Sequence, residues 1–377
     1  MLHGNYLNSN AQILVLFITQ TLDVAVVIKF ALGAQHSMIL NEDGSVWSTA
    51  INFLNMSPIP AACKVFAQVF PSGATAVAAG ADSSYIIKED GSLWVMGRNS
   101  RGQLGDGTQH SKPNFVRVHT IAGAKAVVSG SQHSMILTEQ GQVLVTGLNK
   151  YGQLGDELPS YRTLFFVVVL ARAKAIAAGD MYSIVLMDDG SVWAAGRNHN
   201  GQLGDGTLTD RSNFVKVIRC GVTDVLTGSS HSMALKEDGS VWSVGFNEFG
   251  QIGDGTTTDR TGYVSVVSSG AKALAAGRRH SLVLKQDGSV WATGNNQFGQ
   301  LGDPTITQRK VFFLEVISHG AKAIAAGAFH SMMLKEDGSV WATGSNKYGQ
   351  FGDGSTTSER AFFRLTPFDH GALFCDE

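Results

Sequence analysis

Five histidines fall at one register of this chain: His36, His133, His231, His280 and His330. Ser83 and Tyr182 stand at the two matching positions. A metal site needs three or four such side chains within about 2 Å of one ion. One histidine per repeat spreads the imidazoles around a ring too wide for that, so the expected role is structural, with each ring hydrogen-bonded to backbone. The D-G-T-x-T-D segments, Asp205–Asp210 and Asp254–Asp259, have the flavour of calcium loops. They lack the alternating acids and the closing bidentate glutamate, and read as Asx turns. G-Q-L-G-D is glycine-rich but carries no Lys-Ser/Thr and opens no helix, which excludes a phosphate loop. Asp82 and Asp180 occupy corresponding loops two repeats apart, too far for the paired carboxylates of glycoside hydrolysis. No catalytic residue, metal or cofactor is expected. Arginines and aromatics that break the repeat pattern remain: Arg98, Arg101, Arg197, His199, Phe246, the pair Arg278-Arg279, and Phe329. Those residue types dominate the energetics of protein interfaces.

Seven copies of one block must position them. Their turn glycines fall at Gly44, Gly91, Gly141, Gly190, Gly239, Gly288 and Gly338, a period of about 49 residues that belongs to propeller repeats. The last copy shows the plan. Ala323–Ala326 is small and apolar, Ser331–Leu334 is a second apolar run, Val340–Thr343 alternates, and Phe362–Leu365 is the fourth strand. Runs of four to six residues separated by turn signals are strands, not amphipathic helices. The E-D-G-S hairpin is expected to use Asp-Gly for its φ > 0 positions, in keeping with 44 glycines against 7 prolines. A lone four-stranded sheet buries neither face; seven stacked radially bury both. The expected fold is all-β, a seven-bladed β-propeller of four-stranded antiparallel blades. It forms a single domain over 1–377, with repeats over roughly 24–365. Small residues suit the crowded axis. Tryptophans at 47, 94, 193, 242, 291 and 341, with Leu144 in the remaining copy, are expected to bury up to about 200 Å² each between blades. The ring can close through an N-terminal strand, Ile13–Thr19, or through the seventh copy's own Phe362–Leu365. The end of the chain, His370–Phe374, resembles the start of another block.

The signatures G-x-x-H-S, D-G-x-V-W and N-x-x-G-Q-L-G-D resemble those of the regulator of chromosome condensation repeat family. The resemblance implies a seven-bladed propeller but no single function. Members include a Ran GTPase nucleotide-exchange factor, a plant ultraviolet-B photoreceptor, accessory domains of HECT ubiquitin ligases and a bacterial β-lactamase inhibitor propeller. The G-x-x-H loops here hold Ala34-Gln35, Ala81-Asp82, Ser131-Gln132, Asp180-Met181, Ser229-Ser230, Arg278-Arg279 and Ala328-Phe329. None contains tryptophan, which excludes a light-sensing tryptophan cluster. Near-equal copy lengths leave no room for the exchange factor's wedge hairpin, so nucleotide exchange on a small GTPase is the alternative reading.

A four-stranded meander sends alternate loops to opposite ends. The E-D-G-S turn and the G-A-K link share one face, which repeats monotonously and is expected to be a self-neutralising rim, as at Lys335, Glu336, Asp337 and Lys322. The G-x-x-H and G-Q-L-G-D loops share the other, and it varies as a binding surface on a fixed scaffold does. The recurring aromatics Tyr151, Phe249, Phe298 and Tyr348 read as loop staples. Arg278, Arg279 and Phe329 have no counterparts in other copies and read as partner contacts nearer the axis; Lys150 and Lys347 are further distinctive residues of the same face. A net charge of −2 gives no direct nucleic-acid signal and leaves an acidic partner dependent on a local basic patch. A monomer that binds a protein, a small GTPase or a chromatin protein, is expected. Three scattered cysteines, Cys63, Cys220 and Cys375, point to a reducing compartment, cytoplasmic or nuclear. Apolar runs such as Ile13–Ile18 and Leu164–Ala171 are shorter than the roughly 20 residues of a membrane span.

Overall fold

The computed structural model describes residues 9–10, 13–14, 27–49, 64–158, 160–169, 171–305 and 308–365. Seven four-stranded antiparallel sheets surround a central axis, each built from four consecutive strands. Blade 5 is typical: Val222–Thr227 lies innermost, followed by His231–Lys236, Val241–Gly245 and the outer Arg260–Val267. Innermost strands such as Ala173–Ala178 are alanine-rich and, but for Lys174, buried where the sheets converge. Second strands such as His133–Thr138 are buried along their whole length, because a neighbouring blade covers each face. Outer strands run longer than the sequence suggests, up to nine residues at Arg309–Ile317, since the perimeter is wider than the axis. No helix of the described residues is long and apolar enough to cross a membrane.

The hairpin turns depart from expectation in one respect. Gly239 takes φ 75°, but the preceding aspartate does not adopt a positive φ. Its side chain serves the turn instead: Asp238 Oδ1 accepts the Ser240 amide at 2.9 Å. Ser240 Oγ in turn accepts the Trp242 indole N–H at 3.1 Å. The tryptophans are half-buried rather than enclosed between blades, and Lys236, Lys285 and Lys335 lie over the rings of Trp242, Trp291 and Trp341 at 3.9, 3.7 and 4.1 Å. Lysines of the rim therefore rest on indoles instead of simply balancing the acids beside them.

The conserved-register histidines stitch the blades together, and their partners are serine hydroxyls, not backbone. His231 Nε2 lies 2.9 Å from Ser281 Oγ of the next blade, and Ser281 donates its hydroxyl proton to the Gln251 carbonyl at 2.8 Å. The serine oxygen must then accept, so Nε2 carries a proton and donates. Burial depresses His36, His133 and His231 to about 4, and His280 and His330 to about 3. The glycine of G-x-x-H is required by space, since a Cβ on Gly277 would overlap the His280 ring and the Gly327 carbonyl. Where histidine is missing, Tyr85 reaches Ser134 at 2.7 Å, and the Tyr182 hydroxyl donates to the His231 carbonyl at 2.5 Å.

The seam between the last blade and the first is built as the others are. The seventh blade is completed by its own strand, Glu359–Arg364. His330 Nε2 lies 3.0 Å from Ser37 Oγ, which donates to the Gln350 carbonyl at 2.8 Å. Phe30 and Ile39 pack with Met332, Leu334 and Phe351 across it. Val65 pairs with Asp353, just as Asp205 pairs with Gly262 farther round. Ile13–Leu14 pairs with Ser9–Asn10 and joins no blade; the rest of the proposed N-terminal strand, and the block-like His370–Phe374, lie outside the described residues.

Candidate functional site

The long loops that carry the variable residues are rigid because they satisfy themselves. Asn198 heads one such loop. Its Oδ1 accepts the Leu203 amide at 3.0 Å, and its Nδ2 donates to Asp205 Oδ1 at 2.9 Å and to the Thr207 carbonyl at 3.0 Å. Gln202 Oε1 accepts the Asn200 amide at 3.0 Å. The Asp205 carboxylate also takes the Thr207 hydroxyl at 2.8 Å and Arg211 Nε at 2.6 Å. Burial pushes this carboxyl up, but Thr207 and Arg211 outweigh it and hold it below the ordinary range. Asp254 repeats the arrangement with Thr256 and Arg260. These aspartates are turn-makers whose oxygens are occupied by protein donors. Among the described residues no three His, Cys, Asp or Glu side chains gather as metal ligands.

The glycine before each loop aspartate seats the next blade. Gly204 takes φ 79°, and a Cβ there would collide with the Tyr263 ring. The same glycine-under-aromatic contact joins Gly155 to Phe214 and Gly302 to Phe362. Loops and G-x-x-H turns do share one face of the ring. At its centre lies a funnel of about 390 Å³ whose wall includes Ser131, Asp180, Ser229, Arg278, Phe329 and Tyr348.

Of the residues singled out from the sequence, Arg278 and Phe329 line this funnel together, with the Arg278 guanidinium 5.6 Å from the Phe329 ring centre. Phe329 is half-buried, its edge against Phe298 at 5.3 Å. Arg279 points to a different ring and lies 4.4 Å over Phe249, which packs edge-on to Phe246 at 6.2 Å. Arg197 lies 5.6 Å over Tyr151, and Lys150 covers the same ring at 5.1 Å. The buried Arg197 Nε has no hydrogen-bond partner. His199 packs against the Tyr151 edge at 6.1 Å and sits 3.4 Å from Asp210. Arg98 pairs with Asp82 at 3.3 Å, and neither Arg98 nor Arg101 lines the funnel. The recurring aromatics divide: Tyr151 and Phe249 are half-buried, whereas Phe298 and Tyr348 are exposed by 37% and 45%.

Asp180 is the site residue that repeat reading passed over as a partner contact. Desolvation raises its carboxyl, while the charges of Arg278 and Arg197 and a hydrogen bond from Ser229 pull it down. Its signal in the sequence is the same as that of Arg278: it breaks the pattern at the matching loop position. Asp82 is tied to Arg98 and does not line the funnel with it.

Comparison with known proteins agrees with this architecture. The family model described as RCC1-like domain matches residues 162–372. Two models of the regulator of chromosome condensation (RCC1) repeat match 90–137, and 74–103 with 124–153. No curated protein matches in sequence. Among solved structures, human WBSCR16 is 22% identical with a TM-score of 0.72, covering 80% of this chain and 84% of its own. A chain from the crystal structure of Kap60 bound to yeast RCC1 (Prp20) gives 17% and 0.74, covering 97% and 91%. Prp20p from Saccharomyces cerevisiae, studied with its binding to Gsp1p and histones, gives 18% and 0.72, covering 92% and 87%. At these identities the likeness is one of fold.

Proposed function

Because the chain belongs to the RCC1-like domain family, built of regulator of chromosome condensation repeats, we propose that it is a non-catalytic scaffold holding a protein partner on its loop face. The observation that carries this reading is the rim of the central funnel. Arg278 and Phe329 line it and Arg279 stands beside Arg278; all three depart from the small or polar residues of most copies, on loops whose hydrogen bonds already hold them in place. A preorganised loop loses little entropy on binding, and arginine beside an aromatic combines charge-assisted hydrogen bonds with contact area. That Prp20p is described with its binding to Gsp1p and histones supports a macromolecular partner for the same architecture. Nucleotide exchange on a small GTPase is the second reading, favoured by the likeness to yeast RCC1 over 97% of the chain.

The test is partner capture with surface variants. Replacing Arg278, Arg279 and Phe329 together by Ala is expected to weaken binding by about 2 kcal/mol, roughly thirtyfold, with little loss of stability. Glu336→Ala on the opposite face is the control. Lys335 and Asp337 are unsuitable for it, because Lys335 lies over Trp341 and Asp337 accepts the Ser339 amide at 2.9 Å. If the control loses the partner and the triple variant keeps it, the docking face is the wrong one. Nucleotide-release kinetics on a captured GTPase decide between scaffold and exchange factor.

A further inference from the structure

Five cations on the loop face sit over aromatic rings: Lys150 and Arg197 over Tyr151, Arg279 over Phe249, Arg278 over Phe329, and Lys347 over Tyr348. They come from blades 3, 4, 6 and 7, with blade 5 supplying the Phe249 ring, and form an arc around the funnel. Among the described residues none of the five has a carboxylate within 4.0 Å, in contrast to Arg98, Arg162, Arg211 and Arg260, each paired with an aspartate. A cation seated on a ring keeps its hydrogen-bonding edge free while its orientation is fixed. Beside this arc lie Phe298 and Tyr348, the exposed aromatics of the same face. Asp180, the one acid lining the funnel among the described residues, feels the charges of Arg278 and Arg197.

Resting on the docking-face reading above, we infer that the partner presents a short acidic segment with interspersed apolar residues. Its carboxylates take the place that Asp180 holds in part toward Arg278 and Arg197, and its apolar side chains rest on Phe298 and Tyr348. Nucleic acid would also neutralise these charges. It needs a series of open aromatic faces for its bases, however, and the rings of Tyr151, Phe249 and Phe329 are half-buried with a cation over each.

Fluorescence anisotropy of the intact chain tests this with three labelled probes. They are a glutamate-rich peptide with two leucines, the same peptide with every glutamate replaced by glutamine, and an oligothymidylate. The acidic peptide is expected to bind, to weaken as salt rises because exposed charges are screened beyond about 8 Å at physiological ionic strength, and to weaken about tenfold in Arg278→Ala/Arg279→Ala. Asp180→Asn is expected to tighten it severalfold, a gain that misfolding cannot imitate. Equal binding of the glutamine peptide, tighter binding of the oligothymidylate, or no gain in Asp180→Asn overturns the inference. So does failure of all three probes to bind while Arg278, Arg279 and Phe329 still govern capture of the partner; that last result leaves the docking face itself standing.

Discussion

Asp224 stands where five copies have alanine, at Ala76, Ala126, Ala175, Ala273 and Ala323. It is 8% exposed and accepts the Val225 amide at 2.9 Å, and burial raises its carboxyl to about 7. An acid whose folded value lies above its unfolded one of about 3.9 withdraws stability as pH rises between the two. Asp224→Ala is therefore expected to stabilise the chain by about 1–3 kcal/mol at pH 8 and by less at pH 6; equal melting points for the two proteins at pH 8 would count against it. Sequence reading reached the correct role for the histidines and the wrong partner. The H-S dipeptide recurs, but the serine hydrogen-bonded to each histidine is one repeat away, and only the rotation from blade to blade brings the two together. The candidate site has the same limit. Arg278 and Phe329 were legible because they break the pattern, whereas the seating of Arg197 on Tyr151 and of Arg279 on Phe249 crosses blades and has no local signature.

Strands and hairpins were legible because alternation and Asp-Gly turns are local properties. Their lengths were not, since what sets the outer strand is its distance from the axis. One outer strand, Arg162–Val169, is an exception among its equivalents. Val167 pairs with Leu144, where other blades pair tryptophan with Gln68, Arg117, Lys216, Ser265, Glu315 or Arg364. Leu164 and Val167 are exposed by 48% and 40% on this sheet edge. An apolar edge with open backbone groups invites association between chains, and a lysine blunts it. Val167→Lys, the residue of the next blade, is expected to slow aggregation on heating while shifting stability by less than about 0.5 kcal/mol. Light scattering that rises as fast as in the parent chain would show that this edge is not the sticky one.

For the ring as a whole, the five histidines couple folding to pH. Their folded values, about 4 for three and about 3 for two, lie below the unfolded value of about 6.5. The unfolded chain thus binds more protons between these limits. Stability is complete above about pH 6.5 and falls as pH drops, by up to about 1.4 kcal/mol per pH unit for each histidine. Cooperative unfolding near pH 5, before the carboxylates titrate, is the expected outcome by tryptophan fluorescence. An unchanged fold at pH 4 would show that the imidazoles find solvent without unfolding. Blade number was legible from seven registered copies; the mode of closure was not, because both termini offered a strand. Closure without an exchanged strand has a consequence for chain order. Where a first blade borrows a strand from the far terminus, the cut in the polypeptide cannot be moved without breaking a sheet. Here every blade is an uninterrupted stretch, and six links such as Arg219–Gly221, between the strands ending at Ile218 and beginning at Val222, are interchangeable with the gap between first and last blade. A circular permutant opened at Cys220, with the old ends joined by a glycine-serine tether, is expected to refold to the same seven blades and keep the loop face in its cyclic order. The ring has a beginning only in the gene.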